Sequence, residues 1–186
     1  PGIGRRDETA QFLTDFLKNT SCGKIVLDAD ALRILAEAKD DAGLKAALKN
    51  RNTVMTPHAG ELAALLGSTV TVSEVDENRL LSASRCAAEY GCCVVCKGND
   101  TITLRSVNGS GNSGMATGGS GDVLSGIIGA LAAVSDDIYN AARLGVYIHG
   151  MAGDIAAMKL TEYCVTAQDM IDFLPEAFGI LKNVKY

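Results

Sequence analysis

The chain has 186 residues, of which 47% are hydrophobic and 21% charged, a balance typical of a globular protein with a buried core. Its formal net charge of −5, spread without long runs of like charge, argues against a nucleic-acid-binding protein. The sequence has no apolar run long enough to span a membrane and no signal-peptide pattern, so a cytoplasmic location is expected.

Strands and helices are predicted to alternate in the first third of the chain. An apolar β-type run over residues 24–29 is followed by a helix over residues 30–38, with Asp30 as its predicted N-cap. A second strand, over residues 52–57, precedes a short helix that is predicted to stop at Gly67. This order is that of repeated strand–helix units.

The middle of the chain is predicted to hold one helix and two strands. The helix spans residues 76–91, with Asp76 as its N-cap and Gly91 as its C-terminal stop. Residues 92–98 and 101–107 are predicted as strands that pair antiparallel around the short turn between them.

Three predicted helices follow a glycine-rich loop. They span residues 122–134, 136–160 and 166–181, and the last is expected to kink or break at Pro175. The long helix carries small residues at which a second helix could approach, within the chain or in an oligomer: Gly145, Gly150 and Gly153.

Repeated strand–helix units predict an α/β fold with a mostly parallel sheet. In such sheets, ligands bind beyond the carboxyl ends of the strands. Four polar motifs lie at such ends: DAD (28–30), TPHAGE (56–61), KGND (97–100) and GGSGD (118–122). Because the carboxyl ends of parallel strands share one edge of a sheet, we expect these motifs to form one site.

The segment GMATGGSGDVLSG, residues 114–126, places five glycines beside one carboxylate. A Walker phosphate loop is excluded, because no Gly-Lys-Ser or Gly-Lys-Thr occurs. A dinucleotide-type loop is disfavoured, because it would follow an early strand. The segment is instead predicted to hold an anion with the backbone N–H groups of Gly119, Ser120 and Gly121, at the start of a helix.

Several polar residues near this site have two interpretations. Asp122 either caps its helix or accepts a proton from a substrate hydroxyl while the N–H groups hold a migrating phosphoryl group. His58 is a turn residue or a ligand, and Glu61 caps a helix or acts on magnesium through water. Lys97 is a surface lysine or a phosphate contact. His149 is expected to pack in the core or to bond another helix.

Asp28, at the end of the first predicted strand, could face the cleft. The six cysteines are predicted to be free thiols, because the CCVVC segment has no common zinc spacing and is expected to be a buried strand. No metal site made of protein ligands is therefore expected.

Four motifs together carry a family resemblance: TPHAGELAALLG, KGNDT, NSGMATGGSGDVLSGIIGAL and GVYIHGMAGDIAA. They resemble the ADP- or ATP-dependent NAD(P)H-hydrate dehydratases, in the right order from PGIG near the start to DMIDFLPEAF near the end. The resemblance implies a three-layer α/β/α ribokinase-like fold without its N-terminal strands. It also implies a single domain over residues 1–186, equivalent to the C-terminal portion of the family's domain.

The activity that the resemblance implies is repair of hydrated NADH or NADPH. ADP or ATP, with Mg²⁺, phosphorylates the hydroxyl of the damaged ring, and loss of phosphate restores the reduced cofactor. Asp122 resembles the base in this reaction, and Gly119, Ser120 and Gly121 resemble the anion hole. Gly4, His58 and Asp122 resemble contacts to the hydrated dinucleotide.

The adenine nucleotide is expected at Gly121 and at the KGNDT segment, whose residues are Lys97, Gly98, Asn99, Asp100 and Thr101. The chain departs mildly from the family at Ala59, where Pro is frequent, and at Ser120, where Thr is frequent. The partners implied are small molecules, with a homo-oligomer left open.

Two other functions remain open at this point. A second ribokinase-like enzyme, such as a sugar or vitamin kinase, would share the anion hole and the base but would stop at the phosphorylated product. A non-catalytic nucleotide-binding module would bind the nucleotide without turnover. Formation of reduced nicotinamide would distinguish the dehydratase function from both of these alternatives.

Overall fold

A computed structural model describes residues 1–103 and 106–183. Its five strands form one mixed sheet, in which β1, β2 and β3 are parallel and β4 and β5 are antiparallel neighbours. The strands are β1 Lys24–Leu27, β2 Asn52–Met55, β3 Cys93–Cys96, β4 Ile102–Thr103 and β5 Ser106–Val107. In the parallel part, Val26 pairs with Val54, and Met55 pairs with Val94.

Helices connect and cover these strands. They are α1 Asp7–Asn19, α2 Asp30–Glu37, α3 Ala42–Lys49, α4 Ala59–Leu66, α5 Val72–Glu77, α6 Arg79–Tyr90, α7 Ser120–Val134, α8 Ile138–Leu160, α9 Ala167–Asp172 and α10 Leu174–Asn183. Short 3₁₀ turns span Ser113–Met115 and Glu162–Cys164. Within the described ranges, no helix is both long enough and apolar enough to cross a membrane.

The two faces of the sheet are covered by different helices. Successive side chains of a strand point to opposite faces. Leu27, Met55 and Val94 accordingly pack in a core with α1, α2, α3, α4 and α6. Val54 and Cys93 pack on the other face with α7 and α8. The predicted three-layer α/β arrangement is therefore confirmed.

The predicted hairpin is confirmed, since β3 and β4 pair antiparallel. The prediction of a single strand over residues 101–107 is wrong, because β4 and β5 are two strands that pair antiparallel with each other. Positions 104 and 105 lie outside the described residues. The predicted break near Pro175 is also confirmed, because Phe173 separates α9 from α10. The helix predicted over residues 136–160 is α8.

Two predicted N-caps are wrong. Asp76 lies inside α5, whose capping box is formed by Thr71 and Glu74, and the helix predicted over residues 76–91 is divided at Asn78. Asp30 is the first residue of α2 and makes no capping hydrogen bond, because its carboxylate instead accepts a hydrogen bond from Gly4.

The glycines of α8 pack within the chain. A Cβ at Gly145 would lie 2.7 Å from Ile128 Cγ1 of α7, so this glycine allows the two helices to approach closely. A Cβ at Gly150 would lie 2.2 Å from Ser110 Oγ, and one at Gly153 would lie 2.2 Å from Met115 Sδ. The glycines therefore allow α7 and the loop over residues 108–117 to pack closely against α8.

Candidate functional site

A cleft of about 770 Å³ lies where the carboxyl ends of the parallel strands meet the first turn of α7. Its walls come from the segments after β2 and β3, the loop over residues 108–117, the start of α7 and the middle of α8. The predicted site residues that line it are His58, Lys97, Gly98, Asn99, Thr101, Ser120 and Gly121. Gly4, Asp100, Gly119 and Asp122 do not line it.

Asp28 and Lys97 form a largely buried ion pair beneath this cleft. Asp28, at the end of β1, is 1% exposed, and its Oδ1 lies 2.7 Å from Lys97 Nζ. Its Oδ2 accepts a hydrogen bond of 2.6 Å from Ser125 Oγ of α7. Burial, the largest effect, raises the pKa of Asp28, but the hydrogen bonds from Lys97 and Ser125 and the positive charge of Lys97 together hold that pKa below its ordinary value.

The ammonium of Lys97 lies directly against the first turn of α7. A Cβ at Gly121 would be 3.3 Å from Lys97 Nζ, a tight contact that the lysine side chain would have to relieve by a small shift. Glu61 Oε2 lies 3.9 Å from the same nitrogen. Lys97 therefore contacts two carboxylates below and the glycine turn above, and it is not a freely solvated surface lysine.

The glycine turn presents backbone donors at the start of a helix. Gly119 has φ +88°, a left-handed conformation that glycine adopts without strain, and it precedes α7 as its N-cap. Ser120 N–H donates to Thr117 O at 3.3 Å. The N–H groups of Gly119 and Gly121 make no hydrogen bond to any residue that the structure describes. These two N–H groups are available to an anion, which the helix dipole also favours.

Asp122 occupies the first turn of α7 and is exposed. Its carboxylate makes no capping hydrogen bond, and it has no ion pair within the described part of the chain. It borders a second, largely apolar groove of about 480 Å³ between α7 and the C-terminal helices, with Val123, Ile127 and Phe178 among its walls. Asp122 and Lys97 thus flank the glycine turn on different sides.

His58 and Glu61 cap α4 together. His58 Nδ1 accepts a hydrogen bond of 3.0 Å from Gly60 N–H, and His58 N–H donates to Glu61 Oε2 at 2.9 Å. His58 Nε2 also lies 3.3 Å from Glu61 Oε1. The capping interpretation of Glu61 is confirmed, and the half-exposed His58 ring is held at the mouth of the cleft.

Gly4 lies beside the start of α2. Its N–H donates to Asp30 Oδ2 at 3.0 Å, and Arg5 Nε lies 3.7 Å from Asp30 Oδ1. Asp30 therefore anchors the PGIG segment close to Asp28, which lies two residues earlier in the chain.

His149 of α8 bonds α7, as expected for a helix–helix contact. Its Nε2 lies 3.4 Å from Ser120 Oγ, and burial lowers the pKa of His149 to about 4. The imidazole is consequently neutral at neutral pH.

Two residues of the site were not singled out in the sequence. Ser125 links α7 to Asp28, and its Oγ also lies 3.0 Å from the Gly121 carbonyl oxygen. Asp154 of α8 accepts hydrogen bonds of 2.9 Å from Gly111 N–H and from Asn112 Nδ2. Asp154 thereby fixes the loop that forms one wall of the cleft. Ser125 lies in the GMATGGSGDVLSG segment and Asp154 in the GVYIHGMAGDIAA motif, but neither motif by itself indicates these hydrogen bonds.

Residues 1–176 match the model of the NAD(P)H-hydrate dehydratase family. A bifunctional NAD(P)H-hydrate repair enzyme of Thermofilum pendens is 36% identical over 188 residues, which cover 98% of this chain and 34% of the relative. An ADP-dependent (S)-NAD(P)H-hydrate dehydratase of Neisseria meningitidis is 39% identical over 159 residues, which cover 83% of this chain and 52% of the relative. The chain thus spans between a third and about half of these curated relatives' length.

Solved structures agree with this similarity. An ADP/ATP-dependent NAD(P)H-hydrate dehydratase of Bacillus subtilis, co-crystallised with ATP and Mg²⁺, superposes with a TM-score of 0.79 at 26% identity. The match covers 97% of this chain and 62% of that one. A solved ribokinase-like protein also matches, which confirms the predicted fold.

Proposed function

The chain belongs to the NAD(P)H-hydrate dehydratase family, and we propose that it carries out the nucleotide-dependent dehydration of hydrated NADH or NADPH. The phosphoryl donor is ADP or ATP. The observation that carries the proposal is the contact between the Lys97 ammonium and the glycine turn at Gly121, which is a preformed site for a phosphate group.

In the proposed reaction, the N–H groups of Gly119 and Gly121 and the ammonium of Lys97 hold the transferring phosphoryl group. The hydroxyl of the hydrated ring attacks the terminal phosphorus, and the P–O bond to the departing nucleotide breaks, so that AMP leaves from ADP or ADP leaves from ATP. The hydroxyl proton passes to the Asp122 carboxylate. The C–O bond to the new phosphate then breaks, and the neighbouring ring carbon loses a proton, which restores the reduced ring. Positioning and charge stabilisation supply most of the catalysis in such transfers.

The location of each side chain supports these roles to different extents. Lys97, Gly98, Asn99 and Thr101 line the large cleft, which we assign to the nucleotide. His58 at its mouth is assigned to the hydrate. Gly4, Asp100 and Asp122 lie outside the lining of this cleft. The nucleotide contact of Asp100, the substrate contacts of Gly4 and Asp122, and the role of Asp122 as the base therefore rest on the resemblance alone.

Magnesium fits this site only together with the nucleotide. No group of three or more His, Cys, Asp or Glu side chains that could hold a metal occurs within residues 1–103 and 106–183. The carboxylates of Asp28 and Glu61 are already engaged by Lys97, Ser125 and His58. Mg²⁺ often binds proteins chiefly through substrate phosphates, where it neutralises their charge.

The test is to incubate the purified protein with hydrated NADH, Mg²⁺ and either ADP or ATP, and to follow the absorbance of reduced nicotinamide. Recovery should fall by roughly 10²-fold or more in Asp122→Asn, because the neutral amide cannot take the hydroxyl proton. Asp136→Asn is the matched control, since Asp136 is an exposed aspartate just beyond the other end of α7.

Each outcome separates the candidate functions. Nucleotide consumption without recovery of reduced nicotinamide would indicate a kinase for another substrate. Nucleotide binding without consumption would indicate a non-catalytic module. Equal recovery in Asp122→Asn and Asp136→Asn would remove Asp122 from the mechanism.

We further propose that residues 1–186 act as one ribokinase-like domain in the cytoplasm. Six free cysteines suit a reducing compartment, and the two layers of helices share a single sheet. Homo-oligomerisation gains no support from α8, because its glycines pack within the chain.

A further inference from the structure

The phosphate site has two halves that belong to different elements. The Lys97 ammonium follows β3, whereas the glycine turn begins α7. Lys97 donates a hydrogen bond to Asp28, and no hydrogen bond joins it to α7. Another residue must therefore fix the position of the Lys97 ammonium relative to the glycine turn.

Asp28 makes both connections. Its Oδ1 is 2.7 Å from Lys97 Nζ, and its Oδ2 is 2.6 Å from Ser125 Oγ, one turn along α7 from Gly121. The Ser125 hydroxyl also lies 3.0 Å from the carbonyl oxygen of Gly121. One buried carboxylate thus links the lysine to the helix that carries the backbone donors.

Asp28 is itself oriented by its surroundings. Its Oδ1 also accepts a hydrogen bond of 2.9 Å from Ala29 N–H. Thr56 Oγ1 at the end of β2 lies 3.5 Å from Ser125 Oγ. With 1% exposure, the Asp28 carboxylate has little room to adopt another rotamer.

We propose that Asp28 is a positioning residue that fixes the Lys97 ammonium beneath the first turn of α7, so that lysine and backbone N–H groups act on the same phosphate of a bound nucleotide. This inference rests on the proposed function, because it requires an anionic ligand at the glycine turn. Asp28 acts through Lys97 and does not touch the reacting atoms.

The direction in which nucleotide affinity changes when Asp28 is replaced distinguishes a positioning role from a purely electrostatic one. The Asp28 carboxylate repels a phosphate, so removal of its charge alone would tighten nucleotide binding. Removal of the positioning contact releases the Lys97 side chain from its register and would weaken binding. The isosteric Asp28→Asn variant therefore gives opposite results under the two explanations.

The experiment measures by calorimetry the affinities of ADP and adenosine for the wild type, Asp28→Asn, Lys97→Met and the double variant. Asp28→Asn should weaken ADP binding roughly tenfold and leave adenosine binding unchanged. In the Lys97→Met background, Asp28→Asn should have no further effect on ADP, because the side chain it positions is absent. Unchanged or tighter ADP binding, or an equal loss in both backgrounds, would overturn the inference.

Two further variants guard against a purely structural effect. Asp41→Asn removes another Asp–Lys pair, with Lys18, together with the N-cap of α3, so it should destabilise the fold without changing ADP affinity. If Asp28→Asn does not fold, Ser125→Ala keeps the Asp28–Lys97 pair but removes the hydrogen bonds of Ser125 to Asp28 and to the Gly121 carbonyl, and it should weaken ADP binding severalfold. Equal ADP affinity in Ser125→Ala and the wild type would then overturn the inference. A wild type that binds no ADP would overturn the proposed function as well.

Discussion

His149 Nε2 and Ser120 Oγ lie 3.4 Å apart and join the middle of α8 to the first residue of α7, 29 positions earlier in the chain. Met170 Sδ lies 3.7 Å from the same hydroxyl, so Ser120 is held from two helices. A buried imidazole with a lowered pKa therefore contacts the residue at which the glycine turn enters α7.

We expect His149 to make stability depend on pH. Burial lowers its pKa in the folded state from 6.5 to about 4, so between these values the unfolded chain binds a proton that the folded chain does not. The free energy of unfolding should be highest above pH 6.5 and should fall by up to about 3 kcal/mol as the pH drops to 4. Urea denaturation across this range measures the slope. His149→Gln should lose this part of the slope, and an identical slope in the variant would contradict the assignment.

Gly119→Ala should destabilise the protein and weaken ADP binding. A Cβ would be forced into the left-handed region at φ +88° and would lie 3.1 Å from Ala167 Cβ. The strain should lower the free energy of unfolding by about 1–2 kcal/mol. Gly118→Ala is the neighbouring control, because a Cβ there meets no atom within 4 Å. Equal losses in both variants, measured by denaturation and calorimetry, would show that the backbone conformation of Gly119 is not what matters.

Gly150→Ala should displace the loop over residues 108–117. Its Cβ would lie 2.2 Å from Ser110 Oγ and 2.8 Å from the Ser110 backbone, which is far inside van der Waals contact. We expect a loss of about 1–3 kcal/mol in the free energy of unfolding, with weaker nucleotide binding. Gly129→Ala on α7 has open space and should instead stabilise the protein by about 0.5–1 kcal/mol. A stabilising Gly150→Ala would contradict the close packing of loop and helix.

Thiol labelling should divide the six cysteines into two classes. Cys22 and Cys164 are exposed, whereas Cys86, Cys92, Cys93 and Cys96 are buried. Burial also raises the pKa of Cys86 to about 12, which suppresses its reactive thiolate. Native protein should therefore react rapidly with iodoacetamide at two positions and at six after denaturation. Rapid native labelling within residues 92–96, mapped by mass spectrometry, would contradict the buried position of β3.

Some elements with strong local signals were predicted correctly, and others were missed. The hairpin of β3 and β4 followed from two β-type runs around a short turn, and the end of α6 followed from Gly91, which has φ +64°. The break between α5 and α6 was missed although Thr71 and Glu74 form a capping box, a pattern that is visible in the sequence.

Two helices, α1 and α3, were not predicted. In α1 only Leu13 and Leu17 are buried, and its N-cap position is Arg6, which makes no side-chain capping bond. Its apolar residues Phe12, Leu13, Phe16 and Leu17 nevertheless recur at helical spacing, a signal that could have been used. In α3, the capping residue Asp41 and the buried pair Leu44 and Leu48 supplied a signal that could have been used.

The candidate site was predicted in part, because its residues come from distant segments. Lys97 and Gly121 were expected at the nucleotide site from their motifs, and the structure places them in contact. The hydrogen bond between Ser125 and Asp28 spans 97 positions, so the glycine-rich motif that contains Ser125 does not indicate its partner. Asp122 was expected beside the anion hole, but its position on the apolar groove depends on how α7 packs.

Asp154 has a consequence for the thermodynamics of ligand binding. Because its carboxylate anchors Gly111 and Asn112, we expect the loop that borders the cleft to be ordered before any ligand arrives. A ligand that enters does not have to freeze this segment, so it avoids the loss of backbone conformational entropy that a mobile lid would impose. The loop would contribute little to the heat-capacity change on binding, which would instead come from apolar surface covered by the ligand itself.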